Sequence, residues 1–229
     1  KSIDEAGNAM YPEAHPLAML KIKQEKDPYV FASQYQQNPI PAGGALFKPE
    51  WFVILDEEPK IVASFITADT AETSKSYNDA TVFSFWGLYE IESYGRKTGE
   101  YGLHWLDCLE TRIEPKDLKD TFLDFWAECM RHPSPPKLIA IEKKSTGGTL
   151  LSLIDDIRAV QLRDIPRTRE QGSKTKRFLE AQPYVAERRI SFTNGSRHVK
   201  LCIEHMAKIT ANETHRWDDI ADTCSDAIK

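Results

Sequence analysis

The sequence lacks long apolar runs, paired cysteines and a phosphate-binding loop, and each absence removes a class of protein. Its apolar stretches, such as Leu138–Ile141, fall far short of the roughly 18 residues that a membrane span needs. The first thirty residues carry no signal-peptide core. The four cysteines show no CxxC spacing, which argues against a zinc site or a disulfide framework. We therefore expect a cytoplasmic chain with reduced thiols and no membrane partner.

Composition favours a folded domain over a disordered or fibrous chain. Hydrophobic residues make up 41% of the 229 residues and aromatic residues 10%, while Gly and Pro occur at ordinary counts of 11 and 13. This apolar content is enough to bury a sizeable core. No GxxxxGK[ST] motif occurs, so no P-loop ATPase is expected within these residues. Because the sequence also begins at Lys1 without a Met, we expect a piece of a longer protein.

Charge is unevenly distributed along the chain. The net charge is −5, from 30 Lys and Arg against 35 Asp and Glu. Between Arg131 and Lys200, however, fifteen basic residues stand against seven acidic ones. An acidic body with one basic segment is typical of a protein that places a DNA-facing patch beside a carboxylate site. A solvated charged surface without a ligand is the alternative.

The basic segment supplies candidate phosphate-binding residues. Lys and Arg contact the DNA backbone without reading the base sequence. Aromatic residues are not interleaved with them, so stacking on single strands is not supported and duplex DNA is the expected ligand. The candidates are Lys143, Lys144, Arg167, Arg169, Lys174, Lys176 and Arg177. An exposed basic loop is the alternative.

The chain divides into an arm or linker, residues 1–58, and a folded domain, residues 59–229. The first fifty residues contain six prolines and one clear helical stretch, Pro16–Lys26. From Ile61 the run IVASFITAD is mostly apolar, rich in β-branched residues and closed by a carboxylate, which predicts a buried central strand. Two further strands, over 80–91 and 102–110, are predicted to form an antiparallel hairpin around a polar connection.

The order of the remaining elements predicts the fold class. An amphipathic helix beginning at Pro115 is followed by a strand over 137–142, a helix over 150–159, a short strand over 160–162, and later helices. A strand over 189–193 lies between those helices. Three strands in meander, then alternating helices and strands, match an α/β fold with a mixed five-stranded sheet and helices on both faces, as in ribonuclease H-like domains.

Carboxylates fall at the ends of three predicted elements. Asp69 closes the first strand, Glu142 closes the fourth, and Asp218 with Asp219 opens the last helix. If the first and fourth strands lie side by side and parallel, their final residues meet at one edge of the sheet. Taken singly, each acid has a structural alternative: a chain turn at Asp69, an ion pair at Glu142, and a helix N-cap at Asp218. Asp79 and Asp222 are accessory candidates.

A cluster of carboxylates needs compensating charge, because like charges a few ångströms apart repel by on the order of several kcal/mol. Hard oxygen ligands without Cys or His favour Mg²⁺ or Mn²⁺ over zinc. Two such ions, roughly 3.5–4 Å apart, can activate a water and stabilise the leaving oxygen of a phosphodiester. The residues therefore predict a metal-dependent nuclease.

Five stretches of the sequence together carry a family resemblance. They are FASQYQQNPIPAGGALFKPEWF (31–52), ITADTAETSKSYNDATVFSFWG (66–87), IAIEKKSTGGTLL (139–151), SKTKRFLEAQPYVAERRISF (173–192) and WDDIADTCSDAI (217–228). In this order they resemble the C-terminal half of the large terminase subunits of tailed bacteriophages and prophages. The resemblance implies an endonuclease domain that cuts concatemeric DNA in the host cytoplasm during packaging.

The resemblance also implies site residues and partners. By position, the strand acids of that family fall at Asp69 and Glu142, and its helix acid falls at Asp219, with Asp218 as rival or co-ligand. The implied partners are duplex DNA, an N-terminal ATPase domain, a portal protein and a small terminase subunit.

Two other function classes stay open at this point. A transposase, integrase or junction resolvase on the same fold would join strands or prefer branched DNA. A non-catalytic packaging-assembly module would dock on a portal or small subunit without needing metal.

Overall fold

A mixed sheet organises the part of the chain that the computed structural model describes, which is residues 2–4, 7–26, 31–36, 45–71, 80–93, 95–142, 145–154, 157, 160–166, 174–210 and 218–229. The strands are β1 (Val53–Leu55), β2 (Ile61–Asp69), β3 (Thr81–Ser93), β4 (Arg96–Thr111), β5 (Leu138–Glu142), β6 (Gln161–Ile165) and β7 (Ile190–Thr193). The α-helices are α1 (Leu17–Lys26), α2 (Leu118–Cys129), α3 (Ser145–Leu153), α4 (Lys174–Ala186), α5 (Val199–Lys208) and α6 (Asp219–Ile228).

Five of the seven strands form the predicted ribonuclease H-like sheet. Among the described residues the strand order is β1-β7-β4-β3-β2-β5-β6. Strands β2, β3 and β4 form an antiparallel meander, and β5 and β6 continue the sheet parallel to β2. The predicted fold class is confirmed, and so is the parallel pairing of the first and fourth predicted strands.

Two strands extend the sheet beyond the predicted five. β7 pairs in parallel with β4, and β1 pairs in parallel with β7. The sequence predicts the strand at β7 without placing it in the sheet. It does not predict β1, whose three residues are too few to show a periodic pattern.

The polar segment between β3 and β4 differs from its prediction. The sequence predicts an irregular connection over residues 92–101, yet β3 runs to Ser93 and β4 starts at Arg96, with Glu92 paired to Lys97. The β4 residues from Arg96 to Tyr101 are exposed. Because water surrounds this part of the β3–β4 pair, it needs no alternation of apolar and polar residues. Its sequence therefore lacks the usual signal for a strand.

Alternation along the strands separates two hydrophobic cores. Ile66 and Ala68 of β2 point into a core with Ile139 and Ile141 of β5, which α2 and α3 cover. The opposite face of the sheet packs against α4, α5 and α6 through a second core. Helices therefore cover both faces, as predicted.

Part of the segment assigned to the arm joins the second core. Leu46, Phe47 and Phe52 are buried there, and the Leu46 N–H donates to the Ile209 carbonyl oxygen. The boundary at residue 58 stays a prediction, but the core already includes Leu46, Phe47 and Phe52, and the sheet includes β1. Within the described ranges, every helix is too short or too polar to cross a membrane.

His104 is a buried histidine whose surroundings favour its neutral form. Its Nδ1 lies 2.8 Å from Ser191 Oγ, and its Nε2 lies 2.9 Å from Thr193 Oγ1. Burial, followed by the nearby imidazoles of His198 and His132, lowers the pKa of His104 to about 4. Protonation would therefore charge a ring that hydroxyls on β7 hold against the sheet.

We predict that this histidine makes folding sensitive to mild acid. An unfolded histidine titrates near pH 6.5, so between about pH 6.5 and 4 the unfolded chain binds more protons than the folded one. As the pH falls through that window, the contribution of His104 should lower the free energy of unfolding by up to about 3 kcal/mol. Urea denaturation at pH 7 and pH 4.5 measures this, and His104→Gln should show a smaller difference. An equal difference in both proteins would contradict the assignment.

Candidate active site

The ends of β2 and β5 bring two predicted acids together. Ala68 and Ile141 form the last registered pair of these parallel strands, and Asp69 and Glu142 follow directly. Because Ala68 and Ile141 face the core under α2, alternation places both acids on the opposite face, under α6. Asp69 is only 4% exposed and Glu142 only 1% exposed. The two carboxyl groups therefore share one buried corner of the sheet.

Helix α6 brings the third acid to the same corner. The Thr67 hydroxyl donates to the carbonyl oxygen of Thr223 over 3.0 Å, which fixes α6 against β2. One turn earlier on α6, the Asp219 carboxylate accepts a hydrogen bond from the backbone N–H of Ala80. Ala80 directly precedes β3, where Val82 pairs with Asp69. The first turn of α6 thus lies at the carboxyl end of β2.

Electrostatics at Asp219 oppose its ionisation. Burial raises the pKa of Asp219 to about 6, and the carboxylates of Asp218 and Asp222 add to the increase. The Lys174 ammonium and the Ala80 N–H act in the opposite direction. A cation bound beside Asp219 would therefore favour its charged form.

The other two acids of the first turns of α6 form ion pairs with α4. Lys174 Nζ lies 2.5 Å from Asp218 Oδ1 and 2.6 Å from Asp222 Oδ2. Arg177 Nη2 donates to Asp222 Oδ1 over 2.7 Å, and Asp222 is completely buried. Burial opposes the charge on Lys174, but Asp222 and Asp218 raise its pKa above the ordinary value. These contacts hold α4 and α6 together beside the acids.

The donor set at this corner suits a hard divalent cation. Asp69, Glu142 and Asp219 offer only carboxylate oxygens, and negative charge on the buried pair Asp69 and Glu142 needs compensation. In the described ranges, no three His, Cys, Asp or Glu side chains are positioned as they stand to hold a metal ion. Carboxylate ligands suit Mg²⁺ or Mn²⁺. The acids would have to move closer together when such an ion binds.

The predicted DNA-binding residues fall into two groups. Arg177 and Lys174 pair with acids of α6, and the Lys174 side chain keeps 33% of its surface exposed. Lys176 lies 3.9 Å from Glu180 on the same helix. Their contact with DNA stays a prediction. The accessory acid Asp79 and the basic residues Lys143, Lys144, Arg167 and Arg169 lie outside the described residues.

Buried hydroxyls beneath the acids were not predicted. Thr67 lies two residues before Asp69, and Thr223 lies four residues after Asp219. These are the spacings at which strand and helix side chains share a face with the acids. The periodicity was therefore a usable signal, although it does not say that a hydroxyl at such a position is buried.

The topology, together with buried acids at the carboxyl end of its central strand, defines a ribonuclease H-like domain. Solved large terminases have this fold. The ADP complex of a large terminase from a thermophilic bacteriophage superposes with a TM-score of 0.57 at 10% identity, over 91% of this chain and 50% of that chain. The P22 large terminase nuclease domain gives a TM-score of 0.50 at 11% identity, over 80% and 90%.

A further structure, the large terminase nuclease of the thermophilic phage G20c with bound zinc, gives a TM-score of 0.48 at 15% identity, over 79% of this chain and 95% of that chain. No protein-family model and no curated protein sequence matches the chain. The chain spans half the length of the ADP-bound terminase. At these identities the likeness concerns the fold.

We predict that Asp222 stabilises the fold through its two cationic partners. Asp222→Ala would leave the buried Arg177 guanidinium without its counter-charge, and should lower the free energy of unfolding by about 3–5 kcal/mol. Chemical denaturation at pH 7 measures the change. Asp124→Ala, on the exposed side of α2, is the matched control and should change stability by less than about 0.5 kcal/mol. Equal effects of the two substitutions would contradict the role given to Asp222.

Proposed function

We propose that this chain is the nuclease domain of a tailed-phage or prophage large terminase, and that it cuts duplex DNA with the help of Mg²⁺ or Mn²⁺. The observation that supports the proposal is that Asp69 and Glu142 directly follow the last registered pair of β2 and β5, and that Asp219 accepts the N–H of Ala80 at the same end of this ribonuclease H-like sheet. The fold shared with the ADP-bound terminase and the P22 nuclease domain supports it.

The strand order suggests which acid would bind which of the two metal ions. β2 lies between β5, which carries Glu142, and β3, whose start contacts Asp219. Asp69 is therefore the central acid and would hold both ions, while Glu142 and Asp219 would hold one each. When bound, the two ions would activate a water and stabilise the leaving oxygen of the phosphodiester.

The protein's own groups prepare this corner for charge. Burial keeps water away from the carboxyl groups of Asp69 and Glu142, which strengthens electrostatic interactions there. Lys174 is paired with both Asp218 and Asp222, and this favours Asp219 over Asp218 as the acid directed to the metal. Arg177 and Lys174 hold α6 in place while substrate binds.

The substrate in this proposal is concatemeric phage DNA, cut with little sequence preference. Basic residues contact phosphates rather than bases, and Lys143 and Lys144 directly follow Glu142 in the sequence. In the complete protein an N-terminal ATPase domain, a portal protein and a small terminase subunit would be partners, in the cytoplasm of the bacterial host.

We predict that the three acids are needed for cutting. Asp69→Asn, Glu142→Gln and Asp219→Asn each remove a charged ligand, and should slow Mn²⁺-dependent nicking of supercoiled plasmid by more than about 100-fold, beyond the 10–100-fold range typical of outer-shell changes. Agarose-gel time courses measure the rate. Asp124→Asn is the matched control and should cut like the parent. An Asp69→Asn variant that cuts at the parental rate would refute the assignment.

Further assays on the same purified protein distinguish the proposed nuclease from a resolvase or transposase and from an assembly module. A resolvase or transposase would cut branched DNA faster than linear duplex or would join strands, whereas the proposed nuclease should do neither. A non-catalytic assembly module would bind no Mn²⁺ even at millimolar concentration, and acid substitutions would leave its partner binding intact.

We also predict that Lys143 and Lys144 contact DNA phosphates. The double substitution Lys143→Ala and Lys144→Ala should weaken metal-free duplex binding equally for unrelated sequences, and should reduce the slope of log affinity against log salt by about 2. Fluorescence anisotropy over a salt series measures both quantities. The control removes Arg96 and Lys97, which lie near the opposite end of the sheet. A double variant with an unchanged slope would exclude these lysines from the interface.

A further inference from the structure

Three buried hydroxyls join α6 to the sheet beneath the candidate acids. Trp86 Nε1–H donates to Thr67 Oγ1 over 2.8 Å, and the Thr67 hydroxyl donates to the Thr223 carbonyl oxygen over 3.0 Å. The Thr223 hydroxyl donates to the Ile220 carbonyl oxygen over 2.8 Å. Ser84 Oγ lies 2.8 Å from Thr223 Oγ1, where either hydroxyl can donate, and 3.6 Å from Cys108 Sγ. We refer to Thr67, Ser84 and Thr223, all buried, as the hydroxyl clamp.

The clamp lies at similar distances from the acids of strand and helix. Asp69 follows Thr67 by two residues on the same face of β2, a rise of about 7 Å. Asp219 precedes Thr223 by one helical turn, a rise of about 6 Å. Both steps lead to the same end of the sheet, because Asp219 accepts the Ala80 N–H there. A shift of α6 at the clamp would therefore change the separation of the two carboxylates directly.

Apart from the clamp and the Asp219–Ala80 hydrogen bond, α6 is held by apolar burial and by the ion pairs of Asp222, which join the helix to α4 rather than to the sheet. Ile220, Ala221 and Cys224 are buried in the core that α6 shares with α4 and α5. Apolar burial has no preferred direction, so it stabilises the helix without fixing its height or rotation. Hydrogen bonds require defined distances and angles, so they do fix both. Apolar side chains of similar size would cover the sheet without the cost of burying hydroxyls, but would not define this register.

We propose that the hydroxyl clamp positions Asp219 against Asp69 so that the two carboxylates can share one pair of divalent ions. Thr67, Ser84 and Thr223 are positioning residues, since none of them is a ligand in this assignment. The inference rests on the proposed function and extends it, because it identifies what sets the geometry of the site. Metal sites lose affinity when their supporting groups allow displacements of about an ångström.

The test measures Mn²⁺ binding without DNA, by isothermal titration calorimetry on the 229-residue chain. Thr223→Val keeps the shape of the side chain but removes its hydroxyl, and should weaken Mn²⁺ binding by about 10-fold or more. Thr223→Ser restores the hydroxyl and should restore most of the affinity. Ser84→Ala is a second variant that removes the hydrogen-bond partner of the Thr223 hydroxyl, and should weaken binding in the same direction.

A core substitution away from the clamp separates positioning from stability. Val185→Ala, near the end of α4, removes buried apolar volume from the same core and should lower the melting temperature without changing Mn²⁺ affinity. If Thr223→Val and Ser84→Ala melt earlier but bind Mn²⁺ like the parent, the clamp is structural only and the inference is overturned. That result leaves the proposed function standing when Asp69→Asn loses Mn²⁺ binding. A parent chain that binds no Mn²⁺ would overturn both.

Discussion

Parallel pairing between β2 and β5 is the constraint on which the candidate site depends. It places Asp69 and Glu142 side by side at the ends of adjacent strands, on the face that α6 covers. A slip of one residue in either strand would turn its acid toward the core of Ile66 and Ile139 instead. The apolar residues that fix the register therefore also fix the position of the acids. Stability and site geometry come from the same side chains.

Charge compensation explains why α4 belongs to this arrangement. Asp218, Asp219 and Asp222 lie at the start of α6, at the same end of the sheet as Asp69 and Glu142, and so many acids at one end would repel one another. Lys174 and Arg177 neutralise part of that charge from a neighbouring helix. In the proposed function, a divalent cation would add further positive charge beside Asp69, Glu142 and Asp219. Lys174 and Arg177 of the basic segment thus stabilise the fold, in addition to any contact that they make with DNA.

Sequence reasoning succeeded where a local pattern carried the information. The strands ending at Asp69 and Glu142 are apolar runs closed by an acid, and a helix beginning near Asp218 is visible from its spacing. It missed β1 because three residues show no period, and it missed the ladder from Arg96 because hydrated strands lack apolar alternation. The pairing of Lys174 with Asp218 and Asp222 could not be predicted from the sequence, because it depends on how α4 packs against α6. The metal-binding role of Asp69, Glu142 and Asp219 stays a prediction.

The short strand β1 also bears on the order in which the molecule assembles. Its partner β7 lies more than a hundred residues later in the chain, so this edge of the sheet is closed by one of the least local pairings in the structure. Contacts of such long sequence separation carry a large loop-closure cost and slow the folding of the elements that need them. During synthesis, the native pairing of β1 can form only after β7 has left the ribosome. Completion of this edge is consequently a late event in folding.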